Sequence, residues 1–153
     1  MRVLVWNCQG AGSPLTIPQL KEANNLLSPN MIFLSETKNK ARFIENVRKK
    51  LSFEESIVVE AMNRSGGMAL MWRREVKMVQ VLQSAFTLEA HLNDQESQQD
   101  WWFIGLYASC DALIGKEQWK VIKERSKLWG DKWIIAGDFN DIISNDEKWG
   151  GRI

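Results

Sequence analysis

Three short and almost unbroken apolar runs constrain the fold of this chain more than any other feature of its sequence. They cover residues 2–6, 31–34 and 133–136. Short apolar runs that contain β-branched residues and are bounded by turn signals predict strands buried on both faces. Such strands occur in sheets that are covered by helices, so the sequence predicts an α/β fold.

Apolar residues at three- and four-residue steps predict three helices. The first begins at Thr16 and ends between Asn24 and Ser28, just before a proline. The second lies around residues 43–51, and the third covers 115–129. In each of these segments the spacing places the apolar side chains on one face, which would pack against a sheet.

The stretch between the second and third helices predicts several strands separated by polar turns. The predicted strands cover residues 53–59, 68–72, 76–82, 86–92 and 101–107. A turn is expected at Asn63-Arg64-Ser65-Gly66-Gly67, and a polar hairpin loop at residues 93–100. One mixed α/β layer structure therefore accounts for the whole chain.

Length and composition indicate a single domain over residues 1–153. The chain is 44% hydrophobic and 25% charged, which is typical of a globular protein with one core. No apolar run approaches the roughly 20 residues that span a bilayer, and no secretion signal is recognisable. We expect an intracellular monomer without a membrane partner. Cys8 and Cys110 are too few for a disulfide framework or a zinc site, so each is predicted to be a small buried residue.

Positive charge is concentrated near the start of the chain, although the net charge is only +1. Residues 1–50 hold eight Lys and Arg against three Asp and Glu. Within this segment Lys38, Lys40 and Arg42 are candidate contacts to a nucleic-acid backbone. The alternative is that these charges form an ordinary solvated helix face.

Polar side chains follow each of the three buried strands at its carboxyl end. They are Asn7 after the first strand, Glu36 after the second, and Asp138 with Asn140 after the third. Sheets of α/β proteins bind ligands at this end of their strands, so these four residues are predicted to converge. Carboxylate and amide oxygens without Cys or His suit a hard cation such as Mg²⁺. Taken singly, each residue has the simpler interpretation of a group that caps a strand end.

A dinucleotide-binding fold is a weaker alternative. Gly10-Ala11-Gly12 follows a strand and precedes a helix, as in that fold, and an acidic residue ends the second strand. However, Leu15 occupies the third glycine position, and Glu36 lies beyond the usual spacing. This interpretation also leaves Asp138 and Asn140 without a role, and we expect no small-molecule cofactor.

Five sequence blocks, taken in order, resemble those of the endonuclease/exonuclease/phosphatase superfamily. The blocks are Trp6-Asn7-Cys8-Gln9-Gly10, Leu34-Ser35-Glu36-Thr37, Ser65-Gly66-Gly67-Met68-Ala69, Gly105-Leu106-Tyr107 and Gly137-Asp138-Phe139-Asn140. The closing segment Glu147-Lys148-Trp149-Gly150-Gly151 is similar to the endonuclease domain of plant LINE-type retrotransposon proteins. The resemblance extends over essentially the whole chain, and it implies a nuclear or cytoplasmic location.

The resemblance implies a four-layer α/β sandwich that cleaves phosphodiester bonds in DNA with Mg²⁺, or with Mn²⁺ in its place. In this family pattern Glu36 is the main metal ligand, with Asn7 beside it. Asp138 corresponds to the residue that orients or deprotonates the attacking water. Asn140 corresponds to a residue that holds the scissile phosphate, and Tyr107 to one that contacts it.

Two departures from the family pattern leave the activity open. Some members carry an Asp where this chain has Gln9, and the family's closing Asp-His strands have no counterpart before Ile153. His91, the only histidine, lies within a predicted strand and is interpreted as a sheet residue. The expectation is a domain incomplete at its carboxyl end that is weakly active or inactive. The alternative is a non-catalytic remnant that binds nucleic acid or a partner protein.

Overall fold

A computed structural model describes residues 1–9, 16–61 and 66–139 of the protein. Eight strands, three α-helices and one short 3₁₀ turn follow one another along these residues. In chain order they are β1 (Val3–Asn7), α1 (Thr16–Leu27), β2 (Met31–Ser35), α2 (Ala41–Lys50), β3 (Glu55–Val59), β4 (Met68–Trp72), β5 (Lys77–Gln83), β6 (Thr87–Asp94), β7 (Gln99–Tyr107), α3 (Ala112–Arg125), the 3₁₀ turn (Ser126–Leu128) and β8 (Trp133–Asp138). No helix of the described ranges is long and apolar enough to cross a membrane.

The strands form two four-stranded sheets that pack face to face. The first has the order β1-β2-β4-β3 and the second the order β5-β6-β7-β8. The pairs β1/β2 and β7/β8 are parallel, and the other pairs are antiparallel. Both sheets are therefore mixed, unlike the parallel sheet of a dinucleotide-binding fold.

Three apolar clusters separate four layers and confirm the predicted α/β sandwich. Met31 and Phe33 lie between the two sheets, where Phe33 meets Phe103 edge to face at 6.0 Å. Ile32 and Leu34 point to the opposite side and pack under α1 and α2. A third cluster joins the outer face of the second sheet to α3. Strand β2 is thus buried on both faces, as its unbroken apolar run predicts.

The other two strands that were predicted to be fully buried are edge strands. Val5 of β1 is exposed, and so are Trp133 and Ile134 of β8. Among the described residues each of these strands pairs with only one neighbour. Apolar runs alone do not separate an edge strand from a central one, because the number of neighbours is decided by the order of strands in the sheet.

Two local predictions were wrong for identifiable reasons. The hairpin loop after β6 is shorter than predicted, because Asn93 and Asp100 are paired across the strands and Asn93 Nδ2 donates to Asp100 Oδ1 at 2.7 Å. Helix α3 begins at 112 and not at 115. The Asp111 side chain caps it by accepting hydrogen bonds from the backbone N of Leu113 and Ile114 at 2.9 and 3.2 Å.

The cysteine prediction was correct for one residue only. Cys8 is buried and Cys110 is exposed, and both are free thiols. Cys110 follows the end of β7, in the short connection that leads to α3. The surface position of this connection explains why a residue type that is usually buried is exposed here.

Candidate active site

Four polar side chains at the carboxyl ends of strands face the space between the two sheets. The parallel pairs place Asn7 beside Ser35 in the first sheet, and Tyr107 beside Asp138 in the second. Side chains alternate along a strand, so these residues share a face with the inter-sheet core residues of their own strands. The two sheets therefore bring the ends of β1, β2, β7 and β8 to one cleft.

A direct contact between the two sheets lies at the centre of this cleft. Asn7 Nδ2 donates a hydrogen bond to Asp138 Oδ2 at 3.2 Å, across 131 positions of sequence. Val5, Ser35 and Gly137 complete the lining of a cavity of about 370 Å³ around this pair. The first and last of the polar strand ends predicted from the sequence are therefore neighbours.

Gly137 allows β8 to approach β7 closely just before Asp138. Its φ of +135° lies in the region that disfavours other residues, and an added Cβ would lie 2.1 Å from the backbone O of Leu106. No side chain fits in that space. The glycine of the Gly137-Asp138-Phe139 sequence is thus needed to place the carboxylate opposite Asn7.

Glu36 directly follows the end of β2, and its charge acts on Tyr107 and on Cys8. Burial raises the pKa of Tyr107 above its ordinary value of 10.0, and the negative charges of Glu36 and Asp138 raise it further. Burial also raises the pKa of the Cys8 thiol to about 12, with a contribution from Glu36. The charges of Glu36 and Asp138 thus both act on the phenol of Tyr107. Lys38 Nζ lies 3.4 Å from Glu36 Oε1, so a cation is already close to this carboxylate.

The donor atoms present at the cleft fit a hard cation. Within the described residues no group of three or more His, Cys, Asp and Glu side chains is placed to hold a metal ion. The oxygen donors are the carboxylates of Glu36 and Asp138 and the amide oxygen of Asn7. Mg²⁺ is commonly held by one or two carboxylates and keeps several waters, so this small set is sufficient. Gln9 contributes its backbone N, which donates to Asn7 Oδ1 at 3.1 Å.

The remaining predicted site residues have different positions. Lys40 immediately precedes α2, Arg42 lies in its first turn, and both are exposed. Asn140 lies outside the described residues. His91 is part of β6, where it stacks on Trp102 with ring centroids 4.6 Å apart, so its interpretation as a sheet residue agrees with the structure.

Two further residues, one in the cleft and one behind Asp138 on the outer face of the second sheet, were not identified from the sequence. Ser35 lines the cavity, and its position at the inward-facing step of β2 was a usable signal. Trp119 of α3 stacks on Phe139 with ring centroids 5.7 Å apart, directly after Asp138. No local pattern connects positions 119 and 139, because only the packing of α3 on the second sheet brings them together.

Tyr107 is the only tyrosine, so its titration tests whether the acidic groups meet in solution. We expect a phenol pKa above 10 in the wild type and a lower value in Glu36→Gln, because a neighbouring negative charge is lost. Ultraviolet absorbance of the phenolate measures this. Glu55→Gln, at an exposed carboxylate of β3, should leave the value unchanged. Equal pKa values in the wild type and Glu36→Gln would contradict the described cleft.

The free energy of unfolding is expected to fall at alkaline pH, because burial raises the pKa of the Cys8 thiol in the folded protein. The folded protein holds the Cys8 proton more tightly than the unfolded chain, whose thiol titrates near 9.0. The corresponding stabilisation is complete below about pH 9 and is lost as the pH rises towards 12. Urea unfolding at several pH values should show this loss, and Cys8→Ala should reduce it. A pH-independent stability in this range would exclude the buried thiol as its source.

Comparisons with known proteins give a consistent fold. No family model matches the sequence, and no curated protein is significantly similar to it. Among solved structures, D. rerio TDP2 complexed with a single-strand DNA product matches with a TM-score of 0.70 and 18% identity, over 93% of this chain and 61% of that chain. An endonuclease/exonuclease/phosphatase family protein from Bacteroides thetaiotaomicron matches with a TM-score of 0.72 and 14% identity, over 92% and 63%.

A third solved structure carries a different activity in its name. The mannosyl-6-phosphatase of Bacteroides thetaiotaomicron matches with a TM-score of 0.72 and 13% identity, over 92% of this chain and 65% of that chain. The chain thus spans less than two thirds of each of these three structures. At such low identities the likeness shows the fold alone. The protein has the α/β sandwich fold of the endonuclease/exonuclease/phosphatase proteins.

Proposed function

We propose that this chain carries the cleft of a Mg²⁺-dependent phosphodiester hydrolase that cuts DNA, of the retrotransposon endonuclease type. The observation that carries the proposal is the hydrogen bond between Asn7 and Asp138 across the two sheets, with Tyr107 paired beside Asp138 and with Glu36 directly after the strand that pairs beside Asn7. A DNA substrate is supported by the similar fold of TDP2 bound to a DNA product. The retrotransposon type is supported by the sequence blocks alone.

Each side chain of the cleft has a role in this hydrolysis. Glu36 and Asn7 would hold the metal ion, which stabilises negative charge on the phosphate oxygens when it is bound. Asp138 accepts the proton of the attacking water, and the hydrogen bond from Asn7 orients its carboxylate. Tyr107 donates a hydrogen bond to the phosphate, because its phenol carries a proton at neutral pH. The role of Asn140 in holding the phosphate stays a prediction from the sequence.

The basic residues after Glu36 provide a surface for the DNA backbone. Lys38, Lys40 and Arg42 are all exposed and follow Glu36 within six positions of sequence. Contacts between such side chains and phosphates release counterions, so the affinity for DNA should fall as salt increases. The proposal therefore includes salt-dependent binding next to the cleft.

A nicking assay on supercoiled plasmid tests the catalytic part of the proposal. The wild type should nick the plasmid weakly with Mg²⁺ and lose this activity with a chelator. Glu36→Ala should lower the rate by roughly 100-fold or more, whereas Glu55→Ala at an exposed site of β3 should not. Release of phosphate from mannose 6-phosphate, with no action on DNA, would replace the nuclease proposal by a phosphatase.

Binding measurements identify the non-catalytic alternative. If the wild type binds DNA in a salt-dependent manner and shows no metal-dependent nicking, the catalytic proposal fails for this chain. A triple variant of Lys38, Lys40 and Arg42 to Gln should then weaken DNA binding, with Lys120→Gln on α3 as the control. Unchanged binding in the triple variant would exclude this surface as the nucleic-acid contact.

A further inference from the structure

The strand pair β2/β4 is out of register by one residue where it reaches the cleft. The last regular pair joins Ser35 to Met68. Beyond it, the backbone N of Thr37 donates to the O of Gly67 at 3.2 Å, and the N of Lys38 donates to the O of Gly66 at 2.9 Å. An unshifted antiparallel ladder would place Thr37 opposite Gly66. Glu36 is therefore an extra residue on the β2 side, as in a β-bulge.

This extra residue determines which way the carboxylate points. A regular continuation of β2 would put position 36 on the face of Ile32 and Leu34, which lies under the helices. The shifted pairing instead places the backbone next to Glu36 against Gly66, and a Cβ added to Gly66 would lie 3.9 Å from Tyr107 Cε1 at the edge of the core between the sheets. Bulges at strand ends re-aim side chains in this manner.

The bulge holds two residues in a strained backbone conformation. Glu36 has a φ of +52° and Lys38 a φ of +53°, although neither is glycine. Such conformations are unfavourable for residues other than glycine and persist only when neighbouring structure enforces them. The neighbouring structure here is the segment Gly66-Gly67, which accepts both backbone hydrogen bonds.

Gly67 and Thr37 form the tightest contact of the bulge. A Cβ added to Gly67 would lie 2.3 Å from Thr37 Oγ1 and 3.3 Å from the backbone N of Lys38. The Thr37 side chain is fully buried, and its hydroxyl has no hydrogen-bond partner among the residues that the structure describes. The Thr37 side chain is therefore held by packing against the backbone of residue 67, and only glycine at that position leaves room for the contact.

We propose that the contact between Gly67 and Thr37 is a positioning element that fixes the Glu36 carboxylate in the cleft. Gly67 and Thr37 are positioning residues, because they act through Glu36 and not on substrate. The role rests on the proposed function insofar as Glu36 is a metal ligand. The geometric part, a bulge locked by Gly67, is independent of any metal.

Gly67→Ala tests the proposal, with Gly130→Ala as the matched control. Both glycines have a positive φ, +91° and +67°, but a Cβ on Gly130 meets nothing within 4 Å. Both variants thus carry backbone strain from an alanine at positive φ, and only Gly67→Ala pushes on Thr37. We expect Mn²⁺ affinity, measured by titration calorimetry, to fall roughly 10–100-fold in Gly67→Ala and to stay at the wild-type value in Gly130→Ala.

Hydrogen exchange provides the readout that needs no metal. The Thr37 and Lys38 amides, which donate across the bulge, should be protected in the wild type and in Gly130→Ala but not in Gly67→Ala. Adding Thr37→Ala to Gly67→Ala removes the clashing Oγ1 and should restore part of the Mn²⁺ affinity.

The two hypotheses fail in different ways. A wild type with protected Thr37 and Lys38 amides but no Mn²⁺ binding would refute the metal site and leave the bulge geometry standing. Equal Mn²⁺ affinity and equal protection in Gly67→Ala and Gly130→Ala would overturn the positioning role. An equal loss of Mn²⁺ affinity in the two variants would also overturn it, because backbone strain alone would then explain the loss.

Discussion

Replacing Asp138 by Asn is expected to lower Mg²⁺-dependent plasmid nicking by roughly 10²–10⁴-fold while the melting temperature changes little. Asparagine keeps the shape of the side chain and an oxygen that accepts the hydrogen bond from Asn7 Nδ2. It loses the capacity to take a proton from water. The activity should therefore fall without loss of the fold.

The control for this variant lies at the other end of the same strand. Asp131 is exposed and precedes β8, so Asp131→Asn removes one negative charge from the same sheet without touching the cleft. We expect wild-type nicking from it. If Asp138→Asn keeps full activity, another group accepts the proton, and the assignment of Asp138 as the base is wrong.

Replacing Arg125 by Met is expected to cost about 3–5 kcal/mol of unfolding free energy. The Glu89 side chain is only 3% exposed, and its carboxylate accepts from Arg125 Nε and Nη2, each at 3.0 Å. Trp129 Nε1 adds a third hydrogen bond at 2.8 Å. Methionine keeps the aliphatic stem of Arg125 but leaves a buried carboxylate without its cation.

A double-mutant cycle separates this pair from general loss of packing. Glu89→Gln removes the buried charge, so Arg125→Met combined with Glu89→Gln should be more stable than the sum of the single changes predicts. The exposed pair Lys120–Glu117 is the control, and Lys120→Met should cost less than about 1 kcal/mol. Urea unfolding followed by tryptophan fluorescence measures the unfolding free energy of the wild type and of each variant. Additive effects of Arg125→Met and Glu89→Gln would show that the ion pair does not tie α3 to the second sheet.

The positions of Arg125 and Trp129 show what local patterns leave undecided. Periodicity predicted a helix in this region, but the partner of Arg125 lies 36 residues earlier, on β6. Trp119 and Phe139 are a similar case, since their stacking depends on where α3 lies on the second sheet. Contacts of this range follow from the arrangement of layers, which a local window of sequence does not contain.

The sequence by itself determined the elements and the polar residues at their ends. The apolar run of β2 predicted burial on both faces, and the spacing in residues 17–27 predicted α1, because both signals are local and arise from side-chain periodicity. The polar residues after β1, β2 and β8 were likewise visible as positions that follow apolar runs. Their roles in catalysis stay predictions.

Only the tertiary structure decided how these ends meet. β1 and β8 belong to different sheets, and the packing of the sheets puts Asn7 within hydrogen-bonding distance of Asp138. Simple alternation would have placed Glu36 on the face under the helices, and the shifted pairing with Gly66 and Gly67 interrupts that alternation. Register and sheet packing depend on partners far apart in the chain, which is the physical reason why neither was readable from local sequence.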